Sequence, residues 1–158
     1  MPKWMELGSG YRPWPEPGWE HTDLYPSPGQ TKVDAEELLE WVNEEEWEKI
    51  RATHILEHFP FDETRRILEE WHQALIPGGE LYIEVPHIVG HIRAWQGAEI
   101  PDKQLVTYIF GEQDAPGNFH KAAFTEPILR GELEGAGFKD VRVQDIGMVL
   151  NAWAFRPQ

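Results

Sequence analysis

Apolar residues in this chain fall into short bursts with two different spacings, and the spacing assigns the elements. Residues 3–7, 20–24 and 81–85 are apolar or alternating runs of strand length, and Pro86 ends the last of them. Residues 32–34 suggest a third, minimal strand. Residues 48–56 read as a central strand running into a loop. Residues 141–143 and 149–155 close the chain as two strands, an antiparallel pair joined at Gly147. Elsewhere the apolar positions recur at helical spacing: Leu38, Leu39 and Val42 within 35–47, and Ile67, Leu68, Trp71 and Leu75 within 63–75. Asp62 is placed to cap the second helix and Pro77-Gly78-Gly79 to stop it. Further helices are expected over 88–96, over 102–110, and from a Thr125 cap to about residue 135, with Gly137 suited to the C′ position.

Between these runs the chain is punctuated by proline and glycine. Pro13, Pro15 and Pro17 each remove a donor and disfavour helix before them, so residues 11–19 are expected as an extended loop. Pro26, Pro28 and Gly29 break the chain again, and residues 111–117 read as a loop. Strand and helix alternate, with a β-rich end. This predicts the α/β class: one domain over 1–158, built on a mostly parallel sheet with helices on both faces.

Composition narrows the function classes. The formal charge is −14, from 14 Lys+Arg against 28 Asp+Glu. Such a surface repels phosphate backbones, so nucleic acid is not an expected partner. There is no cysteine, which excludes disulfides and thiolate chemistry and fits a cytoplasmic protein. No apolar run approaches the roughly 20 residues needed to span a bilayer, and Pro2-Lys3-Trp4 leads straight into the first strand, unlike a signal peptide. Membrane is therefore not an expected partner. Eight tryptophans are many for this length. Most suit core or pocket wall, and the Trp-rich surface would allow a homodimer.

The sharpest chemical signal lies near the N-terminus. Met5-Glu6-Leu7-Gly8-Ser9-Gly10 is a short apolar run that ends in G-x-G, and Asp23 follows at the end of the next predicted strand. Glycines let backbone approach a nucleotide-like ligand, and a carboxylate one strand over takes its ribose hydroxyls. Asp23 also suits a turn before Tyr25-Pro26, and Asp34 suits a helix N-cap.

With Glu6-Leu7-Gly8-Ser9-Gly10, Asp23, Asp34-Ala35, the run from Ala52 to Phe59, Pro77-Gly78-Gly79 and Ala136-Gly137-Phe138 in this order, the chain resembles the class I S-adenosylmethionine-dependent methyltransferases. It is most similar to small members that carry L-E-H-F after the fourth strand, here Leu56-Glu57-His58-Phe59. The resemblance covers nearly the whole chain. It implies a Rossmann-like fold, a seven-stranded sheet with the last strand antiparallel, and S-adenosylmethionine as cofactor across the carboxyl ends of the first, second and fourth strands. It further implies that Gly8, Ser9 and Gly10 approach the methionine part, and that Glu6 holds the glycine loop or reaches the amino group. Asp23, with Leu24 beside it, would take the ribose, and Asp34 and Ala35 would border the adenine. Ala52, Thr53 and His54 would line the tail and sulfonium. The chain departs from that family in starting at the first strand, with no preceding helix, and in following the glycine loop with prolines. Gly10 and Asp23 are 13 positions apart (23 − 10), against about 20 in dinucleotide folds.

His54-x-x-Glu57-His58 also fits H-x-x-E-H, in which two histidines on one helical face bind zinc and the glutamate is the base. Phe59-Pro60 would end such a helix at once, and the preceding residues read as strand. No metal site is expected on that pattern. His58 is expected to brace the loop.

Methyl transfer needs an aligned acceptor, exclusion of water and, for a hydroxyl or ammonium acceptor, a base. His54 and His120 are the catalytic candidates, the second within Gly117-Asn118-Phe119-His120-Lys121, where Lys121 could hold an anionic group. A turn tied by Asn118 and His120 explains the same segment. His87 and His91 lie where the fifth strand ends, at the i, i+4 spacing of a helix face. Trp14, Trp19 and Trp95 could cover adenine or substrate. The expected function is methyl transfer to a small-molecule acceptor. The alternatives are a non-catalytic cofactor-binding or partner-binding protein of the same fold, and a nicotinamide-dependent oxidoreductase, which would want a third glycine opening a helix.

Overall fold

A computed structural model describes residues 3–10 and 16–158. The expected extended stretch at 11–15, with Trp14, lies outside the described residues. Seven strands form one sheet: β1 (Trp4–Leu7), β2 (Trp19–Asp23), β3 (Thr31–Lys32), β4 (Trp47–Thr53), β5 (Leu75–Pro86), β6 (Lys139–Asp145) and β7 (Val149–Phe155). The order is β3-β2-β1-β4-β5-β7-β6. The first five pair in parallel, and β7 runs antiparallel to both neighbours. The expected topology is therefore realised, with β6 and β7 turning at Gly147 (φ 101°).

Among the described residues four α-helices complete the fold: α1 (Thr64–Ala74), α2 (Ile88–Gln96), α3 (Asp102–Phe110) and α4 (Glu126–Gly135). Helix α1 buries Ile67, Leu68 and Trp71, the stripe that its periodicity predicts. Helix α4 buries Leu129 and Leu133, and the two helices pack on each other. They share one core with Met5, Leu7, Ile50, Ala52, Leu81, Ile83 and Val85. Burial alternates along β7, along β4 from Ile50 and along β5 from Gly79, so the opposite face, with Arg51, Tyr82 and Trp153, is only half-buried. Helices are expected on both faces from the sequence. Among the described residues, α1 packs on β5 and α4 on β6. The β2–β3 connection spans only residues 24–30 and carries Pro26 and Pro28, too short and too broken for a helix.

Three local expectations are corrected. Residues 35–47 form no α-helix, only a single 3-10 turn at Leu38–Glu40, and Trp47 starts β4. Asp62 does not cap α1: it lies in a 3-10 turn, Phe61–Glu63, and Glu63 takes the cap position without a side-chain bond. Pro77-Gly78-Gly79 does not separate helix from strand. It lies within β5 as an irregular stretch, since Trp47 faces Leu75 while Lys49 faces Glu80. Arg156 Nη1 caps the end of α1 instead, donating to the carbonyls of Gln73 (3.0 Å) and Leu75 (2.6 Å). Thr125 stands at the N-cap of α4 but makes no side-chain cap bond. Gly137, at C′, has φ 101° as expected.

Candidate active site

Strand β1 has β2 on one side and β4 on the other, so chain direction in the strand order reverses at β1. Open α/β sheets bind ligands beyond the carboxyl ends at such a point. Three predicted groups meet there. The glycine turn leaves β1, Asp23 ends β2, and His54 follows β4. Gly10 N–H donates to Asp23 Oδ2 at 2.9 Å, and Tyr25 N–H donates to Asp23 Oδ1 at 2.9 Å. Asp23 therefore combines the predicted turn and the predicted place beside the glycines. Ser9 Oγ donates to the Thr22 carbonyl (3.0 Å), and the Gln30 amide donates to Ser9 Oγ (2.8 Å) and the Gly10 carbonyl (2.7 Å). The loop is thus held in shape, and among the described residues none approaches the position a side chain would take at Gly10 (φ 73°). Gly8 is different: at φ 61°, a side chain there would lie 2.6 Å from Ile55 Cδ1, so its bareness serves Ile55.

Other predicted residues are engaged elsewhere. Glu6 does not hold the glycine loop. His21 Nδ1 donates to its Oε2 at 2.6 Å and Arg51 Nε to its Oε1 at 2.9 Å, which ties three neighbouring strands together. Arg51 also lies over Trp19, 4.2 Å from the ring centroid, so Trp19 belongs to this network. Asp34 Oδ1 accepts the Glu36 N–H at 2.9 Å, a local turn that caps no helix. Ala35 is buried, and its carbonyl accepts Trp71 Nε1–H at 2.8 Å. Leu24 is exposed, Ala52 is fully buried and Thr53 is half-buried beside them. Trp95 donates to Asp102 Oδ1 at 2.7 Å.

Beyond the ends of β4 and β5 opens a cavity of about 530 Å³, lined by His54, Glu57, His58, His91, Tyr108 and His120, among others. His54 has φ 53°, a conformation L-residues rarely adopt. It sits between two carboxylates, Nε2 3.0 Å from Glu84 Oε1 and Nδ1 3.4 Å from Glu57 Oε1. Glu57 first, and Glu84 with it, raise the His54 pKa above the ordinary range. Both carboxylates favour the protonated ring, and burial of the ring opposes them. Burial lowers the pKa of His58 and of His91. His91 is buried, not on a surface face, and stacks on Tyr108 with centroids 4.6 Å apart. His87 is buried against the β6–β7 turn, with Nδ1 3.3 Å from both the Gly147 carbonyl and Asp145 Oδ1.

Residues Leu56–His58 form one 3-10 turn and Phe59 is extended. His54 and His58 therefore do not share a helical face, and the H-x-x-E-H geometry is not formed. The expected bracing role of His58 is present, through a 3.2 Å contact of Nδ1 with the Phe119 carbonyl. The second wall is stitched on by backbone: Lys121 and Ala122 N–H both donate to the Glu57 carbonyl, at 2.8 and 3.1 Å. That stitch places His120 beside His58, ring centroids 5.0 Å apart. The buried Glu57 carboxylate is a functional candidate that sequence reasoning treated only as part of a motif. Its signal was present in Leu56-Glu57-His58-Phe59, an acid flanked by apolar residues.

No family model and no curated protein sequence matches the chain. Solved structures do match. A possible exported protein from Bordetella parapertussis is 19% identical with a TM-score of 0.65, over 99% of this chain and 62% of that one. The CurJ carbon methyltransferase is 14% identical with a TM-score of 0.68, over 99% and 48%. An S-adenosylmethionine-dependent methyltransferase from Mesorhizobium loti is 17% identical with a TM-score of 0.64, over 98% and 90%. The fold is that of the S-adenosylmethionine-dependent methyltransferases. The chain spans less than two thirds of the first two of these proteins. No helix among the described residues is long and apolar enough to cross a membrane.

Proposed function

We propose that the protein transfers a methyl group from S-adenosylmethionine to a small acceptor held in the histidine-lined cavity. The observation that carries this reading is convergence: Gly10, the Asp23 carboxylate bonded to its N–H at 2.9 Å, and His54 in the cavity lining follow the ends of three adjacent strands at one switch point. The residues fit the cofactor. Asp23, bonded once through each oxygen, keeps lone pairs for two vicinal hydroxyls. Leu24, Asp34 and Ala35 would flank the adenine, and Ser9, Gly10, Ala52 and Thr53 the methionine tail. When bound, the cofactor supplies an electrophilic methyl group on a sulfonium.

The chain's own residues do the rest. His120 Nδ1 donates to the Tyr108 carbonyl at 2.8 Å, which leaves Nε2 as a lone pair facing the cavity. That atom is placed to take a proton from an acceptor hydroxyl or ammonium. The His91–Tyr108 stack forms part of the cavity wall. Isothermal titration with S-adenosylmethionine, S-adenosylhomocysteine and NADH tests the reading. The first two are expected to bind in the micromolar range, about −8 kcal/mol, and NADH not to bind. Failure of both sulfur compounds would overturn it.

A further inference from the structure

We propose that Glu57, His58 and His120 bind one divalent transition-metal ion of the zinc type at the wall of the cavity. One ligand atom from each lies within 4.8 Å of the other two. Zinc bonds of about 2.0–2.2 Å place tetrahedral donors roughly 3.4 Å apart. Side-chain rotations that move these atoms by about an ångström would close the set around an ion.

Two further observations point to an ion. Both rings are oriented from behind. His58 Nδ1 lies 3.2 Å from the Phe119 carbonyl and His120 Nδ1 2.8 Å from the Tyr108 carbonyl. A carbonyl only accepts, so each ring carries a hydrogen on Nδ1, and in the neutral ring Nε2 is the lone-pair nitrogen; His58 also faces the Gly117 carbonyl. Metal-ligating histidines are fixed in this way. The second observation is Glu57. It is 1% exposed, and neither carboxylate oxygen makes a hydrogen bond. Its one charged contact among the described residues is the His54 ring, Nδ1 3.4 Å from Oε1, and Oε2 is left without a partner. A buried carboxylate so poorly satisfied is costly, and a metal ion would satisfy it.

Two imidazoles and one carboxylate select a borderline metal over magnesium or calcium, which prefer all-oxygen sets. Three protein ligands leave a coordination position open toward the cavity, as in catalytic zinc sites. The set differs from the H-x-x-E-H pattern: Glu57 is a ligand and not the base, and the third ligand comes from residue 120. The ion would occupy the His120 lone pair. In the loaded protein, acidification of a bound water or hydroxyl would then fall to the metal. The site stands independently of methyl transfer.

The test is titration of the untagged, chelator-stripped chain with zinc chloride, followed calorimetrically, with magnesium as control. One zinc per chain at about 1 μM or tighter, and no magnesium binding, are expected. Glu57→Gln, His58→Gln and His120→Gln should each weaken zinc at least tenfold, whereas His72→Gln, remote from the site, should not. If those variants misfold by circular dichroism, the visible spectrum of wild-type protein loaded with cobalt(II) decides. Bands of a four- or five-coordinate ion support the site. A six-coordinate spectrum, absent zinc binding, or affinity unchanged in both Glu57→Gln and His120→Gln overturns it.

Discussion

Two aspartates that look alike in sequence separate at the scale of single residues. Asp23 accepts the Gly10 and Tyr25 N–H groups at the sheet tip, whereas Asp34 accepts Glu36 N–H within its own turn. Asp23→Ala should weaken S-adenosylhomocysteine binding at least tenfold, about 1.4 kcal/mol. Asp34→Ala should weaken binding less than that, since its carboxylate is held in its own turn, and should cost about 1 kcal/mol of stability. Calorimetry and thermal melts on both variants check this, and the opposite ranking would move the ribose carboxylate. His72 gives a pH prediction. Burial first, and Arg156 second, lower its pKa, and its ring stands edge-on to Phe138 at 5.0 Å. With the folded pKa below the unfolded value near 6.5, the unfolded chain binds the proton first. This contribution is complete above about pH 6.5 and is lost as pH falls from there toward the folded pKa. Urea melts from pH 7.5 to 5 should show a shallower decline for His72→Leu than for the natural chain. The pairing of Asp23 with the glycine turn was legible because each ends a strand. Glu6 was not, because its partners Arg51 and His21 come from other strands.

Strands and most helices could be read from periodicity, and the failures have local causes. Residues 35–47 carry an apolar stripe, but Glu36, Glu40 and Glu44 repeat at i, i+4, where like charges repel along a helix. Only the 3-10 turn at Leu38–Glu40 survives, packed on α1. The breakers at 77–79 sit inside β5 because Gly78 N–H finds the Arg156 carbonyl at 2.9 Å, so the kink stays paired. Helix α2 depends on contact with the β6–β7 turn, which no spacing announces. A side chain on Gly90 would lie 1.8 Å from the Gly147 carbonyl oxygen. Gly90→Ala should therefore destabilise by about 1–3 kcal/mol and lower the melting temperature by roughly 2–10 °C. An unchanged melt would show that α2 sits free of that turn.

For the whole molecule, the sheet order was foreseeable from strand–helix alternation and the resemblance together. Charge acts at this scale too. A net −14 on 158 residues makes the folded state repel itself. Raising salt from about 0.01 to 0.15 M shortens the Debye length from about 30 to 8 Å. The melting temperature should rise by a few degrees, which calorimetric scans at both strengths would show. The cavity itself was hidden, because His120 is brought to His58 across 62 positions (120 − 58) by two backbone amides sharing the Glu57 carbonyl. Those amides make a natural clock. While the two walls stay joined, the protons of Lys121 and Ala122 should exchange with deuterium slowly. Whatever fills the space between the walls should slow them further, and a small molecule that prises them apart should speed up both together.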